Sequence, residues 1–527
     1  MRVLSIHNIG HDCGAAAFDD DGLLFSIEAE RLTRRRYEHE AKPAVEHLLD
    51  ETGLEISDFD LVVLSVPTRQ DFLTVDDYDT HFAALKAGAF HAESHCEIMG
   101  HKVRCILVAH EVCHAACGIQ EAGAEAQNAA ILVNEGRGLW GRCSLFSLQN
   151  TDLKLRDVDF LPWYCTGFGW SALGDVLGFG KSPGVAGHLM AIASFSEPKA
   201  CLSEALKGIS DDVLHGTDAA IAASQELQRH DKFGRDFNSA ASLLATLQNL
   251  FSDGLFQALQ SRQEVQDADA LILSGGCALN IVANSKLRMG IGKPLFIPAN
   301  CNDSGQALGA GLYVRKFILG LPDAQVAIDT NGAAPKEAEV ARFAELTGLH
   351  MEDADPRSVA ALLAQGKILG VCTGPSELGP RSLGNRSILA SADMPGLFET
   401  VSLRLKRREW YRPVCASFSE DAFAAIWPNE EPSPHMMYSY DLPDGVAPEA
   451  RHVDGSCRAH SVSRSVNPWY HDVLQEYEGQ SGAKGVINTS LNSAGRAMVF
   501  SPDHILQDFS VSELDGYVVG EKLFTHA

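Results

Sequence analysis

The sequence predicts an α/β protein of two domains, on three observations. At 527 residues the chain exceeds what a single hydrophobic core serves. Short apolar strand runs alternate with helical patterns along most of its length. A Pro-, Gly- and Ala-rich connection at 321–345 separates two such stretches, which gives a first domain at 1–345 and a second at 346–527.

Taken in order, Arg2 to Asn8 reads as a strand, Asp19-Asp20-Asp21-Gly22 as a turn and Leu23 to Ala29 as a second strand, together a hairpin. A similar unit returns at Ala129 to Asn134, with Glu135-Gly136-Arg137-Gly138 as the turn and Arg142 to Leu148 as the next strand. The repetition predicts an internal duplication into two similar lobes. Leu61 to Val66 and Val103 to Ala109 are further strands. Gly167 to Gly178 reads as a helix, Ala186 to Ala193 as a shaped loop, and 199–235 as polar loop and short helix. From Phe237 to Gln260 apolar residues recur every three or four positions, as on an amphipathic helix. Ala270 to Ser274 is a buried strand followed by Gly275, Gly276 and a helix start. That order suits negative oxygens, because glycines allow close approach and helix-start amides lack intrahelical partners. The connection at 321–345 ends in a helix from Pro335, and the second domain holds a helix at Arg357 to Gln365 and a strand at Lys367 to Cys372.

Composition narrows the function. The formal net charge is −26, with 69 acidic against 43 basic residues, which argues against a polyanionic partner such as nucleic acid. The 13 cysteines are scattered and odd in number, as expected of reduced thiols in a cytoplasmic protein. No apolar run approaches the roughly 18 residues of a membrane span, and the N-terminal stretch, broken by His7, His11 and Asp12, lacks a signal-peptide core.

Against this acidic background, Glu377-Leu-Gly-Pro-Arg-Ser-Leu-Gly-Asn-Arg-Ser387 sets Arg381 and Arg386 among glycines and small polar residues. Two guanidinium forks so placed suit phosphate or carboxylate oxygens, though a surface turn with ordinary ion pairs would look the same. His110 and His114 fall four residues apart at the start of a helix, on one face, a spacing that suits a metal but also a packed helix.

These stretches also resemble a known family. Glu377 to Ser387 is similar to the Glu-Phe-Gly-Pro-Arg-Ala-Leu-Gly-Asn-Arg-Ser motif of the nodulation-type O-carbamoyltransferases, which make carbamate esters of hydroxyl groups. Gly10-His11-Asp12-Cys13-Gly14 resembles their Gly-His-Asp-Ala-Ser, Glu28 to Arg34 their Glu-Glu-Glu-Arg-Phe-Thr-Arg, and Ser274 to Asn280 their Ser-Gly-Gly-Val-Ala-Leu-Asn. Leu405 to Pro413, Asp454 to Arg458 and Asn488 to Asn492 continue the series. Departures stand at Glu135, where Asp is more usual, and at Ala186, His188, Pro375 and Arg496.

The resemblance implies a two-lobed, actin-like ATPase (ASKHA) domain followed by a smaller YrdC-like α/β domain. It implies a metal held by His110, His114 and Asp303, with Fe(II) favoured and acting as a Lewis acid. It implies ATP, accompanied by Mg(II), and carbamoyl phosphate as co-substrates. Arg381, Arg386, Lys406, Arg412, Arg458, Asn488, Ser490 and Asn492 would hold nucleotide and carbamoyl phosphate in the second domain, and Gly275, Gly276 and Asn280 would hold nucleotide in the first. His11, oriented by Asp12, would accept the proton of an acceptor hydroxyl. The expected partner is a small hydroxylated natural product, with no nucleic acid or membrane, and at most a second copy of the chain in a homodimer. An actin-like kinase or ATPase, or a non-catalytic nucleotide-binding relative, remains the alternative.

Overall fold

The computed structural model describes residues 1–66, 72–180, 182–209, 236–323, 329–330 and 332–526. The chain forms two compact units, one of Met1–Ser26 with His39–Ile328, the other of Ile27–Glu38 with Asp329–Ala527. Among the described residues no helix is long and apolar enough to cross a membrane, and all 13 cysteines are free thiols.

The first unit holds two sheets. One comprises β1 (Val3–His7), β2 (Gly14–Phe18), β3 (Leu23–Glu28), β4 (Leu61–Ser65), β5 (Leu73–Val75), β6 (His91–Ile98) and β7 (His101–Val108), in the order β3-β2-β1-β4-β7-β6-β5. The other comprises β8 (Asn128–Asn134), β9 (Cys143–Gln149), β10 (Asp152–Val158), β11 (Ala270–Ser274) and β12 (Leu295–Phe296), in the order β10-β9-β8-β11-β12. In the first, β1 pairs antiparallel with β2 and parallel with β4, which is parallel to β7. In the second, β8 pairs antiparallel with β9 and parallel with β11, which is parallel to β12. Five strands of each sheet follow one plan, so the duplication is real at the level of topology. The expected N-terminal hairpin needs correction, however. β2 lies between its two strands, and it is β2 that pairs with β1. Its Gly-Ala-Ala-Ala-Phe sequence carries little strand propensity of its own, and only full burial between neighbours holds it extended.

Two helices connect the sheets. His110–Ala122 packs on β8 and β11, Gln306–Tyr313 packs on β1, β2 and β4, and the two helices pack on each other. Close approach depends on Gly309, where an added Cβ would stand 2.1 Å from the Cys113 carbonyl oxygen. The amphipathic helix spans Phe237–Gln260 as expected. Residues 186–193, read as a loop, lie in the helix Val185–Ala193, and residues 210–235 of the polar stretch lie outside those described.

The second unit is built on one mixed sheet. Its strands are β13 (His350–Asp353), β14 (Leu369–Cys372), β15 (Arg386–Ser391), β16 (Cys415–Ser419), β19 (Ala459–Val462), β20 (Val486–Ser490), β21 (Gly516–Val519) and β22 (Lys522–Thr525), with β17 (Tyr440–Asp441) and β18 (Ser456–Cys457) as a separate ribbon. The order is β13-β22-β21-β14-β15-β20-β16-β19. Helices Pro356–Ala364 and Pro468–Ser481 pack together, and Val359, Leu363, Val473, Leu474 and Tyr477 join Val371 and Leu389 of the sheet in one core. The boundary read at 345 falls inside this unit, which already begins at Asp329: Leu378 donates its N–H to the Asp329 carbonyl and Gly332 to that of Ser376. The segment 27–38 joins it through buried charge. Arg34 pairs with Asp508 at 2.6 Å, and Arg31, itself paired with Glu28 and Glu30 of the same segment, donates to the Gly379 carbonyl at 2.6 Å.

Candidate metal centre and cationic site

In the first unit four side chains converge. His110 and His114 start a helix that follows β7 directly, so their four-residue spacing stacks both rings on its buried face. Glu135 follows the last residue of β8, and Asp303 sits in the turn before the helix Gln306–Tyr313. Their ligand atoms lie within 4.8 Å of one another, and all four residues are buried. The two Nε2 atoms stand 3.2 Å apart. Asp303 Oδ1 is 3.5 Å from His110 Nε2 and 3.2 Å from His114 Nε2, while Glu135 Oε1 is 3.2 Å from His114 Nε2.

This donor set fits a divalent cation. Two imidazoles and two carboxylates present nitrogen and oxygen donors to one point, a combination that suits several first-row metals. His114 Nδ1 is buried without a hydrogen-bond partner among the described residues, so the ring is held through Nε2. Burial opposes charge on His114, but Glu135 and Asp303 outweigh it and hold the ring up to about 10. Burial likewise opposes charge on Asp303, and His110, His114 and His11 more than reverse this, keeping its carboxyl far below the usual range. Three of the four converging residues, His110, His114 and Asp303, are those anticipated as ligands. Glu135 is the addition, and its position at a strand end in the second copy of the repeated unit was the signal available for it.

His11 and Asp12 border this cluster. Asp12 takes a left-handed φ of 56°, a conformation an L residue adopts at a cost. Its carboxylate accepts from Asn302 Nδ2 at 3.0 Å and meets His11 Nδ1 at 3.2 Å, and His11 Nδ1 is 3.7 Å from Asp303. Burial disfavours the charged His11 ring, yet Asp12, Asp303 and Glu135 raise it to about 9. Behind it a buried chain unremarked in the sequence runs from the His11 carbonyl through His7 and Ser65 to Gln306, whose amide donates to the His110 carbonyl.

The glycine pair closes against the same cluster. Gly275 has φ 88°, and the Gly276 amide donates to Glu135 Oε1 at 2.5 Å. Asn280 is buried as the cap of the helix Ile281–Gly290: its Oδ1 accepts from Ala283, and its amide exchanges hydrogen bonds with Gln248.

In the second unit, the Glu377 carboxylate collects the N–H groups of Leu383, Asn385 and Arg386 at 2.7, 2.9 and 3.1 Å, which folds the arginine loop. Gly384 must be glycine there, because its φ is 111° and a Cβ would stand 2.4 Å from the Tyr470 ring. The two arginines part ways. Arg386 is fully buried and donates to the carbonyls of Phe500, Thr373, Gly374, Asn385 and Ala333. Arg381 instead joins a group of cations. Burial, and then Arg412, Arg458, Arg36 and Arg381, bring Arg408 down to about 9. Lys406 is lowered too, first by burial and then by Arg408. Its ammonium is gripped by the carbonyls and side-chain oxygens of Ser490 and Asn492. Asn488 links Ser382 and Ser417. Arg36 and Arg408 are the members that the sequence did not single out.

Residues 2–312 match the model of the carbamoyltransferase N-terminus, and residues 360–526 that of the carbamoyltransferase C-terminus. The chain is 28% identical to nodulation protein U of Rhizobium tropici, across 95% of this chain and 92% of that protein. It is 26% identical to 3'-hydroxymethylcephem-O-carbamoyltransferase of Streptomyces clavuligerus, across 97% of each. Among solved structures, the activator of the 2-hydroxyisocaproyl-CoA dehydratase from Clostridium difficile with bound ADPNP aligns at 13% identity and TM-score 0.34, over 59% of this chain and 94% of that one.

Proposed function

The chain belongs to the carbamoyltransferase family, and we propose on that premise that it is an ATP-dependent O-carbamoyltransferase acting on a hydroxylated small molecule in natural-product biosynthesis. The first unit is read as the actin-like transfer domain and the second as the YrdC-like domain that activates the carbamoyl group. The observation that carries the second assignment is the cationic group around Arg408 in a chain of net charge −26. Like charges packed together are costly unless an anion joins them.

Three reactions follow. Carbamoyl phosphate and water give carbamate and phosphate. A carbamate oxygen attacks the α-phosphorus of ATP, forming carbamoyl-adenylate as the bond to pyrophosphate breaks. The acceptor hydroxyl then attacks the carbamoyl carbon, and AMP leaves. Arg381, Lys406 and Arg412, with Arg458, Ser490 and Asn492 beside them, would bind the phosphate oxygens and neutralise the charge that gathers as carbamate attacks. Arg386 would hold the loop from beneath.

In the first unit, His110, His114, Glu135 and Asp303 would hold a divalent metal, with Fe(II) suited to the donors and Mg(II) reserved for ATP. Such an ion supplies Lewis-acid polarisation of an oxygen. With Asp303 and Glu135 neutralised by a cation, two of the three carboxylates that raise His11 would no longer favour its charged form, and its imidazole would accept the hydroxyl proton while Asp12 orients it. Gly275, Gly276 and Asn280 would shape the nucleotide end of this site.

The test is pyrophosphate release from ATP with and without carbamoyl phosphate. Release that requires carbamoyl phosphate supports the reading. Phosphate release from ATP alone would indicate an ATPase, and no turnover a binding protein.

A further inference from the structure

Residues 27–38 are the one stretch of the N-terminal portion that belongs to the second unit, and they hold directly onto its arginine loop. Glu28 Oε1 accepts the Gly379 N–H at 2.5 Å, and Arg31 Nη2 donates to the Gly379 carbonyl at 2.6 Å. Both backbone groups of a residue two positions before Arg381 are therefore fixed by this segment. The far end is fixed as well. Arg34 pairs with Asp508 and donates to the Met498 carbonyl, Ala497 donates to the Arg34 carbonyl, and Arg35 forms a bridge with Arg496.

Along this segment the arginines divide by use. Arg31 and Arg34 are buried in ion pairs. Arg36 is exposed, its guanidinium lies 5.0 Å from the Tyr37 ring centre, and its Nη2 donates to the Tyr37 hydroxyl at 3.0 Å. No carboxylate pairs with it among the described residues. It stands near enough to Lys406 and Arg408 for its charge to disfavour theirs. An exposed arginine could turn away from two cations into water. Here the backbone is pinned at Arg34 and Arg35 on one side and on the other at Tyr37, whose N–H donates to Glu30 Oε2 at 2.9 Å, and Tyr37 carries the guanidinium.

We propose that Arg36 is a further oxyanion-binding residue of the cationic site, contacting the polyphosphate that Lys406 and Arg408 also face, and that the segment 27–38 exists to deliver it. This rests on the reading of the second unit as a phosphate-binding, adenylate-forming site. A charge-assisted bond from a guanidinium to phosphate is about twice as strong as a neutral one, so its loss weakens binding by about tenfold or more.

The probe is inorganic pyrophosphate titrated calorimetrically into the full-length protein, beside carbamoyl-phosphate-dependent pyrophosphate release at varied ATP. Arg36→Ala is expected to weaken pyrophosphate binding about tenfold and to raise the KM for ATP similarly, Arg36→Lys to recover part of both, and Arg35→Ala to change neither. The proposal is overturned if Arg36→Ala binds pyrophosphate as the wild type does, or if the wild type does not bind it. Should the wild type bind pyrophosphate in an Arg36-dependent way yet release none from ATP, Arg36 stands and the adenylate-forming reading falls.

Discussion

Glu135 Oε1 accepts the Gly276 amide at 2.5 Å while lying 3.2 Å from Nε2 of His114. One carboxylate oxygen thus joins the cluster of His110, His114 and Asp303 to the glycine turn that follows β11. Glu135→Gln keeps the shape and removes the charge, so bound divalent metal should fall at least tenfold in affinity. Metal titration of purified wild type and variant reads this directly, and equal affinities would remove Glu135 from the ligand set. Replacing both His110 and His114 by Ala should abolish stoichiometric metal in the same measurement.

Metal binding should release protons. His114 sits at about 10 without a cation, against an ordinary value of 6.5, so near neutrality it carries a proton that a ligand nitrogen must lose. Affinity should rise about tenfold per pH unit for each proton displaced, across the window from pH 6.5 to 8.5, and fall as the solution is acidified. Calorimetry in buffers of different ionisation enthalpy counts the protons. An affinity flat across that window would mean that the cation does not displace the His114 proton.

Much of this site is legible in the sequence, for reasons that mark its limits. The spacing of His110 and His114 fixes their shared face once a helix is granted, whereas Asp303 is reached only through the resemblance to the family. Glu135 is legible only as a strand-end residue, because nothing local shows that β8 and β11 lie side by side. Strand β2 escapes notice because alanines carry no strand signal, and its extended form is imposed by neighbours. Membership of 27–38 in the second unit depends on buried ion pairs with residues hundreds of positions away, such as Arg34 with Asp508, which no periodicity encodes.

Arg381 and Arg386 share one motif and should fail differently. Arg386→Ala leaves buried carbonyls without donors, at a cost of about 3–5 kcal/mol, and should lower the melting temperature by about 10 °C. Arg381→Ala should melt within about 2 °C of the wild type, since surroundings that hold like charges relax when one is removed. Calorimetric melting of the two variants decides, and equal losses would place Arg381 in the same structural role as Arg386.

His11→Ala tests the least-determined assignment. If the imidazole accepts the hydroxyl proton, transfer from supplied carbamoyl-adenylate should fall about 100-fold or more, with metal content retained because His11 is not one of the four converging residues. Near-normal transfer would shift the role to Asp12 or to solvent.

The two half-reactions should break separately. Arg381 belongs to the second unit and His114 to the first, and each sits among groups of a different chemistry. Arg381 stands with Arg408, Arg412 and Arg458, where positive charge would stabilise the phosphate oxygens during attack on ATP. His114 stands with His110, Glu135 and Asp303, a donor set that fits a divalent cation. Arg381→Ala should therefore lose carbamoyl-phosphate-dependent pyrophosphate release by several hundred-fold, about 3–4 kcal/mol of transition-state stabilisation, yet still carbamoylate an acceptor from supplied carbamoyl-adenylate. His114→Ala should release pyrophosphate at a near-normal rate and yield no carbamate ester from either donor. Loss of the same half-reaction in both variants, or failure of the adenylate to rescue Arg381→Ala, would show that adenylate formation and transfer are not divided between these residues.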